Sequence, residues 1–402
     1  MLNRVFKAFS YRDFRLMWAG ACTSTIGSWM QIVAQAWLVY TLSHDDPFYL
    51  GLDAFLSQAP IILFSLVGGV IADRRDRRHM LLMSQYIQMA CAFTLTALFY
   101  FHVVQVWHIL LLSFLSGIGQ SFGGPAYSAL LPTLVGKEDF SNAIAWNSIQ
   151  FNLATILGPT IAGITLAKLN ATWCFGLNGV SFIAVIVSLF MIKAGYVPAR
   201  STESIITSMK QGIAFIRTKA GLDSLIVLAF CLTLFAIPMR TFLPVFAKEV
   251  FKGDSTTFTR LLICSGVGSI CGALLVAASG RVKRQGLVAL LALIVLGGVI
   301  VGFGLSKSLL LSSILIFLSG ASIMWVFSMV QSLVQAITAD EMRGRVMSVY
   351  NVAFRGGMPV GSLMTGKLIP LLTVSVTVAC AGSVLVLLGI YFLFIHRRIA
   401  TL

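Results

Sequence analysis

The chain has 402 residues, of which 58% are hydrophobic and only 11% charged, and its mean hydropathy is +0.91. A soluble domain carries roughly 25% charged residues, so the composition excludes an ordinary soluble enzyme or binding module and points to a chain embedded in a bilayer. The formal net charge of +15 would suit a nucleic-acid partner, but the placement of that charge on one side of the apolar stretches excludes one.

Apolar stretches of about 20 residues, enough at ~1.5 Å per residue to cross ~30 Å of hydrocarbon, recur along the whole length. Six are predicted near residues 14–42, 49–72, 80–101, 107–131, 142–167 and 172–192. Six more lie near 222–247, 258–279, 285–305, 309–335, 344–368 and 373–395. The expectation is an all-α integral membrane protein of twelve transmembrane helices. The first stretch reads as a retained span, because it is too long for a cleaved leader and has no convincing small-residue cleavage site.

The first span carries polar and aromatic side chains at Thr25, Ser28, Trp29, Gln31, Gln35 and Trp37. Asp53 stands a few residues into the second, near its outer end. A carboxylate in a span is a functional candidate by default, and desolvation or a neighbouring cation can tune it to load and release a proton. The connection to the third span reads Gly69-Val70-Ile71-Ala72-Asp73-Arg74-Arg75-Asp76-Arg77-Arg78. The fourth span offers Gln120 and Tyr127 and the fifth Asn147 and Asn152. The fifth also holds Gly158-Pro159-Thr160-Ile161-Ala162-Gly163, where proline removes a backbone donor and kinks a helix while glycine admits a close neighbour. A lone glutamine in a span is more often an interhelical hydrogen-bond partner than a ligand contact, so the polar set is read as a group.

A polar stretch, 193–221, separates the sixth span from the seventh. Within it Ile205, Met209, Ile213 and Ile216 recur at helical spacing beside Lys210, Arg217 and Lys219, a pattern expected of an amphipathic helix on an anionic leaflet or of a solvated linker. Arg240 lies in the outer part of the seventh span. Gly266-Val267-Gly268-Ser269-Ile270-Cys271-Gly272 looks nucleotide-like but sits inside an apolar span with no strand before it, so helix packing is the better reading. Gln331 and Gln335 close the tenth span. The eleventh opens with Arg343-Gly344-Arg345-Val346-Met347-Ser348, holds Arg355 near its middle, and continues through Met358-Pro359-Val360-Gly361. Arg355 and Arg240 are each a possible partner of Asp53 in an outer gate. Arg355 is alternatively a contact for an anionic or acceptor-rich substrate, a role in which lysine could not copy the planar fork.

The order of these features repeats. Leu112-Ser113-Phe114-Leu115-Ser116-Gly117 recurs as Leu315-Ile316-Phe317-Leu318-Ser319-Gly320, an offset of 203. The same offset carries Gly69 onto Gly272, Arg78 onto Arg281, Glu138 onto Glu341, Gly158 onto Gly361 and Gly163 onto Gly366. Two pseudo-symmetric six-helix bundles are therefore expected, 1–192 and 222–402, joined by the linker 193–221. Such parallel halves place a site near the midplane between them.

If the N-terminus is cytoplasmic, 21 of the 29 basic residues fall on the cytoplasmic side, six on the other, and two, Arg240 and Arg355, inside spans. That bias obeys the positive-inside rule and puts both termini in the cytoplasm. The seven cysteines all fall in spans, without a CxxC pair, and the five histidines form no triad or metal cluster. No phosphate-binding loop occurs. No enzyme activity, cofactor or metal is expected.

The 69–78 segment resembles the signature loop of the major facilitator superfamily: Gly69, Asp73, Arg74, Arg77 and Arg78 match, while Asp76 stands where glycine is common. Together with Ser208–Arg217, Arg343–Ser348 and Arg355–Pro359, the loop is similar to the branch containing macrolide-type and enterobactin-type exporters. The resemblance covers essentially the whole chain and implies the major facilitator fold, with spans 1, 4, 7 and 10 lining a central cavity. It makes Trp29, Gln31, Gln35, Gln120 and Tyr127 the substrate path, and Gly158, Pro159, Gly163, Pro359 and Gly361 helix hinges. The signature loop becomes a cytoplasmic gate, Asp73 facing the start of the eleventh span and the arginines binding that carboxylate or lipid phosphates. The resemblance thus implies a monomeric secondary exporter of a small amphipathic drug or siderophore-like metabolite in the bacterial inner membrane, with protons and lipids as partners. A lysophospholipid flippase and a non-transporting sensor are the alternatives.

Overall fold

Hydrocarbon offers no partner for a backbone N–H or C=O, so a spanning chain must satisfy these groups within itself, as a helix does. The computed structural model describes residues 6–74, 76–192, 205–219, 221–279, 284–339, 341–395 and 399; at 65–74, 205, 206 and 208 it describes the backbone alone. No strand occurs among the described residues. The helices are α1 (Arg12–Leu42), α2 (Pro47–Arg74), α3 (Arg77–Tyr100), α4 (Val106–Leu130), α5 (Phe140–Lys168), α6 (Ala171–Met191), α7 (Ile205–Thr218), α8 (Leu222–Phe235), α9 (Ser255–Ala278), α10 (Gln285–Leu305), α11 (Leu309–Ile337), α12 (Arg343–Leu372) and α13 (Val374–Ile390). Among the described residues, ten helices are long and apolar enough to cross a membrane. Of the rest, α1 and α12 have 31 and 30 residues, enough length, but they carry more polar side chains.

Side chains set several helix starts. Asn170 accepts from the Trp173 amide to begin α6, and Asp254 accepts from the amides of Thr256 and Thr257 to begin α9. The Thr256 hydroxyl, with those amides, holds the Asp254 carboxyl below the ordinary carboxylate range.

The seventh predicted span departs from a simple helix. It ends as α8 at Phe235, continues as two short helices, Pro238–Thr241 and Leu243–Val245, and closes in a π-helical turn, Phe246–Val250. Pro238 and Pro244 bring no N–H to the ladder, and they stand first and second in the two short helices respectively. Pro159 and Pro359 lie inside helices that continue past them.

Two compact units emerge, residues 1–43 with 56–202, and residues 44–55 with 203–402. In the first, α1 packs on α5 and α6, and α3 on α4 and α6. In the second, α8 packs on α12, and α10 on α11 and α13. Shifted by 203, the pairs α1–α5, α3–α4 and α3–α6 become α8–α12, α10–α11 and α10–α13. The segment 44–55 begins α2 yet groups with the second unit: a Cβ on Gly51 would stand 2.5 Å from the Ser362 carbonyl oxygen.

The linker helix α7, whose spacing suited a leaflet or a solvated linker, packs on α12. Gly212 lies so close that an added Cβ would reach 2.7 Å from the Arg345 carbonyl oxygen, and Ile216 is buried. The glycine gap brings that side of α7 onto protein, while Ile213 stays exposed.

The 266–272 segment resolves as helix packing. The backbone of α9 at Gly268 and Gly272 lies directly against the Phe317 and Ala321 carbonyls of α11. Lipid tails are as apolar as leucine, so dispersion contacts at small residues hold such helices together. The pair Gly297 and Gly298 on α10 gives a direct check. A Cβ at Gly297 would lie 2.6 Å from the Gly382 carbonyl oxygen, whereas Gly298 has nothing within 4 Å. Gly297→Ala is expected to cost about 1–3 kcal/mol through overpacking, while Gly298→Ala is neutral or slightly stabilising. Thermal unfolding of the detergent-solubilised pair measures the contrast, and equal effects would contradict it.

Candidate functional site

Polar side chains inside apolar helices either bond to one another or meet water. In the first unit most of them bond. Gln31 of α1 accepts from Asn178 Nδ2 on α6 at 2.6 Å. One turn on, Gln35 Nε2 donates to Ser113 Oγ on α4 at 2.7 Å. One and a half turns earlier, Thr25 Oγ1 accepts from Gln150 Nε2 on α5 at 2.9 Å. Helix α1 thus ties three neighbours by side-chain hydrogen bonds, and Gln31 and Gln35 are held by the fold. Asn178 and Ser113 were not singled out in the sequence, since a lone asparagine or serine in a span gives no pattern.

The remaining path residues divide. Tyr127 donates its hydroxyl to Asn147 Oδ1 at 2.7 Å, between α4 and α5. Trp29 sits edge-on to Phe151, and its Cβ occupies the space beside Gly158. Gln120 is exposed. On α12, Gly361 lies against the Leu234 carbonyl and Pro238 ring, as Gly158 on α5 lies against the Ile26 carbonyl of α1. Gly163 and Pro359 are buried.

For the signature loop, the side chains of Gly69, Asp73 and Arg74 lie outside the described residues. Beyond them, Asp76 caps α3 by accepting from the Arg78 amide at 2.9 Å, which gives the unusual acid at this position a local role. Arg77 Nη1 donates to the Ala129 carbonyl in the last turn of α4 at 2.8 Å. Arg78 Nη2 donates to the Phe190 carbonyl in the last turn of α6 at 3.0 Å and lies over the Phe190 ring. Both guanidiniums meet the negative ends of helices.

In the second unit Asp53 is half-buried on α2 and has a partner. Arg240 Nη2 donates to Ser269 Oγ at 2.9 Å, and Ser269 passes the bond to the Ser265 carbonyl at 3.0 Å. The glycine-rich segment of α9 thus supplies the arginine's acceptor. Arg240 keeps some exposed surface, but its Nε is sealed from solvent. Arg355 is exposed. The ion pairs among the described residues include neither arginine. One of them joins Lys248 to Asp45, residues that are 203 apart and so occupy equivalent positions in the two repeats. The repeat offset was the signal that could have found this pair.

The family described as transmembrane secretion effector matches residues 4–400. Macrolide efflux protein A of Streptococcus pyogenes is 24% identical over 386 residues, 94% of each chain. The enterobactin exporter of Escherichia coli O1:K1 is 24% identical over 389 residues, 95% of this chain and 91% of that one. A crystal structure of the peptide transporter POT superposes with a TM-score of 0.76 at 14% identity, covering 96% of this chain and 94% of that one, a likeness of fold.

A double-mutant cycle tests the Gln31–Asn178 bond. Gln31→Leu and Asn178→Leu are expected to show about 0.5–2 kcal/mol of coupling, the range seen for interhelical hydrogen bonds in membranes. Additive losses in thermal stability would mean that the bond carries no weight.

Proposed function

Because this chain belongs to the transmembrane secretion effector family of the major facilitator superfamily, we propose that it is a secondary active exporter of a small amphipathic molecule, driven by proton antiport. The observation that carries the reading is the family match from residue 4 to residue 400, together with relatives named for macrolide efflux and enterobactin export. A drug or siderophore-like metabolite is the proposed substrate, and the bacterial plasma membrane the site of action, with the chain acting as a monomer and both termini cytoplasmic. Counting α1 and α12 as spans brings the ten apolar helices to twelve. Their polarity supports that count, because helices lining an aqueous path must carry the side chains that pure lipid contact would forbid.

In this reading alternating access is the mechanism, and Asp53 loads and releases the coupling proton. Its support is the residue's chemistry and place: a half-buried carboxylate in the first two turns of α2. Gln120 and Trp29 contribute to the substrate path, while Gln31, Gln35 and Tyr127 shape its wall through their bonds to α6, α4 and α5. Gly158 and Gly361 let α5 and α12 slide on α1 and α8 without a side chain between the backbones. Arg77 and Arg78 stiffen the signature loop by anchoring it to helix ends, and Gly69, Asp73 and Arg74 complete that gate.

Flux in proteoliposomes under an imposed pH gradient tests the proposal, with a panel of dyes, macrolides and catecholate siderophores. The wild type is expected to accumulate at least one panel member with the gradient. Asp53→Asn is expected to lose at least tenfold of the gradient-driven rate while still binding the same compound. Full gradient-driven flux in Asp53→Asn would remove that residue from coupling. A wild type that moves no panel member but translocates a labelled lysophospholipid, assayed alongside, would favour a flippase.

A further inference from the structure

Helix α12 presents two kinds of exposed surface. Val360, Met364 and Leu371 form an exposed apolar stripe. Gly344, Ser348, Asn351 and Arg355 are also exposed, and they recur at steps of four, three and four residues, the repeat of one helix face. At about 100° per residue the apolar stripe lies roughly 140–180° around the helix from Arg355. One stripe suits lipid tails. The other, on the opposite side, does not.

Along the polar face, moving away from Arg343, the next positions are Pro359, Ser362 and Gly366, all buried. Gly366 lies close to Pro47 and Gly51 at the start of α2, and the Ser362 carbonyl lies against Gly51. The face is therefore covered at one end and open where Arg355 begins. Arg355 lies about 18 Å along the axis from Arg343 and about 25 Å from Leu372, at ~1.5 Å per residue. With α12 counted as a span, as in the exporter reading, that position lies near the middle of the helix and not at either end. An arginine at such a depth is costly unless water or a counter-charge reaches it, and among the described residues Arg355 and Asn351 have no side-chain partner. Pro359 has no N–H to give the Arg355 carbonyl, so this turn also offers a bare acceptor.

The same face is built in the first repeat. Shifted by 203, Asn351 becomes Ser148 and Arg355 becomes Asn152, again polar, with Ser148 exposed and Asn152 half-buried. The fold makes the stripe twice and charges it once.

We propose that Ser348, Asn351 and Arg355 form a water-accessible subsite for a planar oxyanion, the carboxylate of a small amphipathic substrate. The assignment rests on the exporter reading. The guanidinium grips the carboxylate in a two-bond fork, and Asn351, one turn away on the same face, donates its amide. The substrates selected would be acids or zwitterions rather than simple lipophilic cations.

The test uses the full chain with its seven cysteines replaced by serine, reconstituted in liposomes. Asn351→Cys, and separately Ser348→Cys, is treated with a membrane-impermeant sulfonate-bearing or trimethylammonium-bearing methanethiosulfonate, with Met364→Cys as the lipid-face control. Asn351→Cys and Ser348→Cys are expected to react while Met364→Cys stays inert. The sulfonate reagent should be favoured about tenfold over its ratio at a free thiol, because the neighbouring charge attracts it. Adding Arg355→Gln should abolish that preference. Cysteines at 348 and 351 as inert as the control, or a preference that survives Arg355→Gln, would overturn the subsite.

A second arm compares binding of dansyl-aminohexanoic acid with its methyl ester. The wild type should prefer the acid by about tenfold or more, the scale of a charged hydrogen-bonded pair. Arg355→Gln should erase the preference and Arg355→Lys restore it only in part. A wild type with no preference for the acid overturns the proposal. A preserved acid preference without gradient-driven flux of any probe would instead sink the exporter reading and leave the subsite standing.

Discussion

Helices in hydrocarbon gain almost nothing by hiding apolar side chains from lipid, and every other feature of this chain depends on that constraint. What holds one helix to another is close backbone approach and a small number of polar bonds. The structure shows the first at Gly268 and Gly272 against α11, and at Gly297 against Gly382. It shows the second in the bonds radiating from Thr25, Gln31 and Gln35. A single carbonyl-to-Cβ approach therefore decides more here than a large aliphatic contact would in water.

The same constraint sorts the polar residues into two groups. Gln31, Gln35, Gln150 and Asn178 are committed to each other and to α1, so their job is to fix helix positions. Arg240 is held by Ser269. Gln120, Asn351 and Arg355 are exposed. In a soluble protein that distinction would mean little, because any surface may be polar. In a bilayer an exposed polar stripe opposite an exposed apolar one separates two environments around a single helix.

Duplication explains both the economy and the specialisation of the fold. Equivalent helix pairs recur at the 203-residue offset, and glycines at equivalent places, Gly158 and Gly361, let α5 and α12 approach their partners. Departures from the repeat mark where the halves differ in chemistry. Arg355 stands where the first half has Asn152, and Lys248 stands where the first half has Asp45, so that two equivalent positions carry opposite charges and meet as an ion pair.

The sequence by itself determined the helical, membrane-embedded class, the positions of the helices to within a few residues except in the broken seventh span, the repeat and the family. Each of these is written in local composition or in periodicity along the chain, which hydrocarbon enforces residue by residue. It also picked out the few charges that interrupt apolar runs, since a charge there is conspicuous. Only the tertiary structure decided which of those residues are occupied. Gln31 and Arg355 look alike in sequence, each a polar residue in a span, yet one bonds to α6 and the other is exposed. The linker helix shows the same limit: its amphipathic spacing did not say which helix it would meet, and Gly212 fits it to α12. Prolines look alike in the sequence, yet Pro159 and Pro359 stay in continuous helices while Pro238 begins a new one. In each case the outcome depends on what another helix brings within a few ångströms, and that information lies far away in the chain.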